Sequence, residues 1–460
     1  MSRREHITVM GGGLVGCLMS LYLGKKGYKV DLYERKPDLR KAYKEYGRSI
    51  NLALSDRGWK ALNGIGIGDE IRKVAIPMYG RMIHDLQGKL SFQPYGKEGQ
   101  AIYSVSRGGL NIALLDLVEA EHNITLHFSK QCERVDLKTN EVHLRDTATG
   151  EESVIHADRL FGVDGAYSMV RYSMQKTERF DFSQCYLNYG YKELTIKPGP
   201  FGRWLLEKEA LHIWPRGNFM MIALPNLNGS FTCTLFYPYE GHESFANLKT
   251  ESDVKRFFKK QFPDAMPLMP NLVEEFFKNP VGDLVTIRCF PWAFQDKVLL
   301  LGDASHGIVP FYGQGMNAGF EDCTVFNDLL NEHTGDWHTI FDKFQKIRKP
   351  DTDAMADLAI YNFIEMRDKV ADARFLLQKK IESKISSLYP EHWLPLYSMV
   401  TFSDISYAQA KATGERQEQI MAEIMPHIQS EADFDKPEVQ NLIRQQILGN
   451  DDLVKSSTKP

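Results

Sequence analysis

His6 to Met10 forms a short apolar run that leads into Gly11-Gly12-Gly13-Leu14-Val15-Gly16 and then a helical stretch ending near Lys26-Gly27. A strand, a glycine turn and a helix in this order restrict the start of the chain to a βα unit shaped around a dinucleotide. Gly11 permits the tight turn, Gly13 lets a pyrophosphate approach the backbone, and Gly16 brings helix close to strand, with Leu14 and Val15 at the helix start. Tyr28 to Tyr33 supplies a second strand, and Glu34 ends it where a carboxylate can accept bonds from an adenosine ribose. The competing reading of the same residues is a generic glycine turn beside a solvated Glu34.

A second signature lies near residue 300. Val298 to Leu301 is an uninterrupted apolar run of the kind expected of a covered central strand, and Gly302-Asp303 ends it. Asp303 can accept from sugar hydroxyls, Gly313 and Gly315 admit a ligand close to the backbone, and a helix begins near Met316-Asn317 with its N–H groups facing that ligand. This setting favours a phosphate or a reduced flavin, although the segment alone also fits an ordinary strand, loop and helix. Arg159 to Arg171, RLFGVDGAYSMVR, is a third strand and turn, with Asp164-Gly165 before a helix starting near Ser168. Gly11 to Gly16 does not by itself separate FAD from NAD. A dehydrogenase continues as repeated strand-helix units, whereas this chain breaks after Glu34 into a Lys/Arg-rich loop, Lys36 to Arg48. One long dinucleotide touching both glycine segments accounts for their separation better than two short ones.

Composition removes several classes. A formal charge of −4 with no basic stripe argues against a nucleic-acid partner. The six cysteines are scattered without a Cys-x-x-Cys pair, which suits a reducing compartment and suggests neither a disulfide framework nor structural zinc. The histidines are dispersed as well, so no metal site is expected. No stretch approaches the roughly 18 apolar residues of a membrane span, and the first strand begins too early to leave room for a signal peptide. A cytoplasmic protein is the expectation.

Between Gln184 and Tyr239 the pattern becomes strand-rich, with Arg216-Gly217 a hairpin turn, and from about Thr324 it is almost wholly helical. The expected fold is α/β: a Rossmann-type FAD-binding domain with an inserted antiparallel β-sheet substrate domain and a helical C-terminal layer. The boundaries read are 1–75, 101–180 and 283–345 for a discontinuous FAD-binding domain, 76–100 and 181–282 for the substrate domain, and 346–460 for the helical region. The last residues, Gly449 to Pro460, are polar and expected to fray.

Taken together, the three motifs resemble the class A flavoprotein aromatic hydroxylases, the group of para-hydroxybenzoate hydroxylase. The runs Arg48 to Leu54, Gly80 to His84, Leu211 to Pro215, Pro310 to Asn317 and Leu396 to Phe402 narrow the resemblance to the kynurenine 3-monooxygenase family. That resemblance implies FAD held by Gly11, Gly13, Gly16, Glu34, Arg107, Asp164 and Asp303, with the flavin ring beside Pro310 to Asn317. It implies L-kynurenine held by Arg81, Tyr95, Asn362 and Tyr397, with Pro310, Phe311 and Gln314 forming the wall where flavin meets substrate. An Arg fork suits the carboxylate of an amino acid, with phenol and amide groups completing the set. Without the family pattern each of the four is an ordinary residue: a surface ion-pair arginine, a loop aromatic, or side chains packed against neighbours. Eukaryotic members carry a C-terminal hydrophobic anchor, and Glu431 to Pro460 contain no such segment, which favours a form without membrane attachment.

The implied reaction is NADPH reduction of the flavin, addition of O₂ to give a C4a-hydroperoxide, and hydroxylation of L-kynurenine to 3-hydroxy-L-kynurenine, a step of tryptophan catabolism toward NAD. The arylamine ring is already electron-rich, so no catalytic base is assigned. Substrate binding is expected to gate reduction, and a homodimer is compatible with the sequence. The rivals are a hydroxylase of another aromatic acid, a flavin reductase or halogenase on the same fold, and a non-catalytic nucleotide-sensing flavoprotein; no Trp-x-Trp-x-Ile-Pro element supports halogenation.

Overall fold

The computed structural model describes residues 5–41, 50–96, 99–366 and 372–448. The Arg48-Ser49 start of one family-like run, most of the basic loop after Glu34 and the segment 449–460 lie outside them. The chain opens with the strand His6–Met10, the helix Leu14–Lys25 and the strand Lys29–Tyr33. These build a six-stranded sheet in the order Ala293–Phe294, Val298–Leu300, Arg159–Gly162, His6–Met10, Lys29–Tyr33 and Ile124–His127. All pairings are parallel except the first, and the central strands are apolar on both faces because helices cover both. Three strands distant in sequence thus lie side by side, so Gly11, Asp164 and Asp303 all follow the carboxyl ends of adjacent strands.

A seven-stranded sheet is built from Gly80–His84, Leu90–Pro94 and five strands between Asp181 and Phe290. It is antiparallel throughout except for one pair, Gly80–His84 alongside Ala210–Pro215. That exception has a topological cause: Gly80–His84 arrives from the cofactor domain, and no hairpin joins it to its neighbour. The Arg216-Gly217 hairpin is formed, with Gly217 at φ +69° and Arg216 N–H donating to Phe219 O. One face of the sheet packs on the helices Glu251–Gln261 and Leu272–Lys278 through Trp214, Phe219, Phe257, Phe258 and Phe262. The other face meets Val309, Phe311 and Tyr312 and the helical layer through Met355, Leu358, Phe363, Met399 and Tyr407. The site therefore lies where sheet, cofactor loop and helical layer converge.

Under the sheet, His84 Nδ1 is 2.6 Å from an Asp264 oxygen and His84 Nε2 is 2.8 Å from His212 Nδ1, while His212 Nε2 reaches Glu207 O. Both rings are buried. Burial pushes His212 down to about 4, with the neighbouring His84 acting in the same direction against the Glu207 carbonyl. A depressed folded pKa means that the unfolded chain takes up the proton first, so stability present above about pH 6.5 is lost as pH falls toward 4. Urea unfolding at pH 7 and pH 5 is expected to give about 2 kcal/mol less stability at the lower pH from this group. A His212→Gln variant should flatten that part of the slope; an unchanged slope would contradict it.

Candidate active site

The glycines after the first strand meet different surroundings. A Cβ on Gly11, at φ +112°, would lie 2.3 Å from Val163 O, and one on Gly16 would lie 1.8 Å from Gly11 O. Gly13 instead has extended backbone at φ −75° and ψ −173°, and a Cβ there would meet nothing within 4 Å. Gly11 and Gly16 are thus required by packing, while Gly13 borders open space. Glu34 sits across the turn, accepting from Gly12 N–H at 2.8 Å and Lys36 N–H at 2.9 Å. Leu14 and Val15 start the helix, and Val15 packs where added Cβ atoms on Gly302 and Gly319 would touch it. Asp303 and Arg107 have exposed side chains, and among the described residues neither makes an ion pair.

Asp164 caps the helix Met169–Met174 through one oxygen, at 2.7 Å from Met169 N–H, and its other oxygen is buried without a partner. Burial raises its carboxyl above the usual carboxylate range. Such an orphaned acceptor suits a ligand hydroxyl. Arg171 ties the two loops together by donating to Ala304 O at 2.9 Å and Ala166 O at 2.6 Å. The helix Gly315–Glu332 then begins at Gly315, where a Cβ would find its nearest neighbour at 3.8 Å, so the N–H groups of Gly315 and Met316 border accessible space. Asn317 is fully buried, and its amide is spent within the protein on Ser55 N–H, Ala53 O and Gly313 O. With no exposed surface, Asn317 shapes the loop from within and does not offer its side chain to a ligand, contrary to the expectation from sequence. An extended FAD fits this row of open glycines, an orphaned acceptor, an exposed Arg and a helix N-terminus.

Beyond the loop, Tyr312, Tyr397 and Tyr95 form a column. Tyr312 stacks on Tyr397 at 5.6 Å and 18°, and Tyr397 on Tyr95 at 5.2 Å and 13°. The Arg81 guanidinium lies 4.7 Å from the Tyr397 ring and 5.6 Å from the Tyr95 ring. Arg81 makes no ion pair among the described residues, and its Nε and the Tyr95 hydroxyl are buried without a hydrogen-bond partner. Burial raises all three phenols, so they remain neutral donors at neutral pH. The Glu365 carboxylate acts on Arg81 without reaching ion-pair distance, so a guanidinium held among aromatics with orphaned donors and no direct ion pair is a receptor for an anion.

Phe311 stacks on Phe363 at 4.1 Å and meets Phe236 at 4.9 Å, while Pro310 is exposed. Asn362 lies on the helix Trp337–Ile364 and donates to Phe311 O at 2.7 Å, which joins it to the cofactor loop. No hydrogen bond links it to Arg81, Tyr95 or Tyr397 among the described residues. Gln314 is buried, its oxygen accepting from the Tyr407 and Ser55 hydroxyls. Sequence reasoning missed Tyr312, Phe402 and Tyr407 as members of this region. Tyr312 stood inside the quoted run Pro310 to Asn317, but only packing across sequence-distant segments reveals the column. Among the described residues no group of three or more His, Cys, Asp or Glu could hold a metal ion, and no helix is long and apolar enough to cross a membrane.

Residues 4–359 match the FAD binding domain family. The chain is 51% identical over 443 residues to kynurenine 3-monooxygenase of Flavobacterium johnsoniae, covering 96% of this chain and 99% of that protein. The same enzyme of Flavobacterium psychrophilum is 49% identical over 97% of this chain and 99% of its own length. The chain belongs to the kynurenine 3-monooxygenase family. FAD is its cofactor, and it is a flavin-dependent monooxygenase. The enzyme of Dictyostelium discoideum, 45% identical over 92% of this chain and 93% of that protein, extends the likeness to a eukaryote. The fold is shared with 2-methyl-3-hydroxypyridine-5-carboxylic acid oxygenase at a TM-score of 0.66, with 19% identity, 82% of this chain and 96% of that one. A tetracycline destructase follows at 0.59, with 18% identity, 88% of this chain and all of that one.

Proposed function

We propose that this family member hydroxylates L-kynurenine to 3-hydroxy-L-kynurenine with NADPH and O₂. The observation that carries the substrate side is Arg81, a buried cation with orphaned donors beside it and no ion pair among the described residues, the Glu365 carboxylate acting on it only from a distance, placed next to the loop that begins the Gly315 helix. An amino acid carboxylate supplies the missing anion, with Tyr95 and Tyr397 as neutral donors. Asn362 braces the loop through Phe311 O, and Phe311 and Pro310 face the aromatic ring and exclude water. Gly11, Gly13, Gly16, Glu34, Arg107, Asp164 and Asp303 hold the dinucleotide, and the N–H groups of Gly315 and Met316 favour negative charge on the reduced ring. When bound, FAD supplies the two-electron carrier and the oxygen-activating centre. The substrate ring is an electron-rich arylamine, so the protein's work is positioning rather than proton removal.

Substrate binding gates NADPH use in this reading, because filling the Arg81 site completes the wall beside the flavin. NADPH oxidation is expected to rise by about tenfold or more when L-kynurenine is added; equal rates with and without it would sink the gating. A panel of aromatic amino acids tests the substrate, since only an aryl ketone carrying both an amino acid head and an ortho amine should give stoichiometric ring hydroxylation. The protein acts in the cytoplasm as a homodimer, a reading supported by six free cysteines, five of them buried, and by the edge strand Leu90–Pro94, all of whose residues are exposed. Light scattering tests the dimer.

A further inference from the structure

Gln314 precedes the helix Gly315–Glu332 and is 2% exposed. Its side-chain oxygen accepts from Tyr407 Oη at 3.1 Å and Ser55 Oγ at 3.4 Å. With that oxygen held from two directions, the amide plane has one orientation. Its NH₂ finds no acceptor among the described residues, and it is not one of the buried atoms left without a partner, so it reaches accessible space.

Tyr407 is itself immobile. It is fully buried, and the Arg57 guanidinium stacks 4.1 Å from its ring. Arg57 donates to Val400 O at 3.1 Å and to Ile405 O, and pairs with Glu321 at 2.5 Å. The other Glu321 oxygen pairs with Arg348 at 2.8 Å, and Arg348 with Asp322 at 2.9 Å. Asp322 in turn accepts from Gly302 N–H at 3.0 Å and holds His306 at 2.6 Å. A buried polar network whose charges are paired in this way is stiff, and the His306 Nδ1 at its Gly302 end is buried without a partner. The network runs without a break from the loop at Gly302 to the hydroxyl on Gln314, and its last member before the cleft is Tyr407.

We propose that Tyr407 is a positioning residue that acts through Gln314, holding the Gln314 NH₂ as a fixed donor at the face where substrate ring and flavin meet. The inference rests on the hydroxylation reading above. The fully buried Tyr407 hydroxyl acts through Gln314 alone, as the shorter of the two hydrogen bonds that set the direction of the amide. A misdirected donor at this place leaves carboxylate capture by Arg81 intact and lowers the fraction of reducing equivalents that end in ring hydroxylation.

Tyr407→Phe removes one oxygen and keeps the ring on Arg57, so the fold is retained. The expected result is about a tenfold loss of hydroxylated product per unit time, with KM for L-kynurenine within about threefold of the parent and the missing NADPH electrons recovered as hydrogen peroxide. Gln314→Ala should show the same loss, and Tyr407→Phe should add nothing in the Gln314→Ala background, because the two act as a unit. In the substrate-free holoenzyme the flavin absorption band of Tyr407→Phe should move toward that of Gln314→Ala, a readout that does not depend on turnover. A parent-like spectrum with parent-like product yield in Tyr407→Phe overturns the proposal, as does a full extra loss in the double variant. A parent enzyme that leaves kynurenine unhydroxylated overturns the reaction instead, and the shared spectral shift then decides the positioning role by itself.

Discussion

Replacing Arg81 with Met is expected to raise KM for L-kynurenine by about 10²–10³-fold while changing kcat at saturation far less. Methionine keeps most of the side-chain volume and the contact with Tyr95 and Tyr397, so the column of Tyr312, Tyr397 and Tyr95 should stay stacked. What is lost is the cation that lies against those phenols, and a carboxylate brought there would be buried without its charged partner. The loss is in binding common to ground and transition states, which is why KM carries it. An analogue without the carboxylate checks the assignment: it should bind weakly to the parent and equally weakly to Arg81→Met. A KM within threefold of the parent would remove Arg81 from the site.

The second large effect separates two glycines that look alike in sequence. Gly13→Val is expected to give a folded protein that purifies almost without flavin, with occupancy below about a tenth of the parent. The backbone at Gly13 is extended and a Cβ there meets nothing within 4 Å, so the valine costs the fold little and fills the space assigned to the pyrophosphate. Gly16→Ala should fail differently, since its Cβ would lie 1.8 Å from Gly11 O and something in the turn must move. Far-UV circular dichroism beside the flavin absorbance distinguishes them. A stoichiometrically yellow Gly13→Val protein would contradict the placement of the dinucleotide.

The strand, turn and helix units behind the cofactor motifs were legible because each is contiguous and its glycine spacing carries the geometry. Strand adjacency then brought Gly11, Asp164 and Asp303 to one end of one sheet. The substrate half was not legible from residue chemistry: Arg81 and Tyr95 share one hairpin, Asn362 and Tyr397 come from two helices far along the chain, and only a family resemblance grouped them. Packing shows why. Arg81 reaches Tyr397 because Gly80–His84 pairs in parallel with Ala210–Pro215, and no local pattern announces that pairing. Asn317 and Asn362 illustrate the remaining gap. Sequence marks both as polar groups near a ligand, while the fold spends the Asn317 amide on the protein and gives the Asn362 NH₂ to Phe311 O. Tyr407 stayed invisible because its single hydrogen bond crosses 93 positions of sequence.

The most direct measurement is mass spectrometry of the product formed by the yellow holoenzyme from L-kynurenine and NADPH under isotopically labelled dioxygen. The expected result is 3-hydroxy-L-kynurenine carrying one labelled oxygen atom, formed in proportion to NADPH consumed. NADPH consumed with kynurenine recovered unchanged, or a product whose oxygen comes from water, would contradict it.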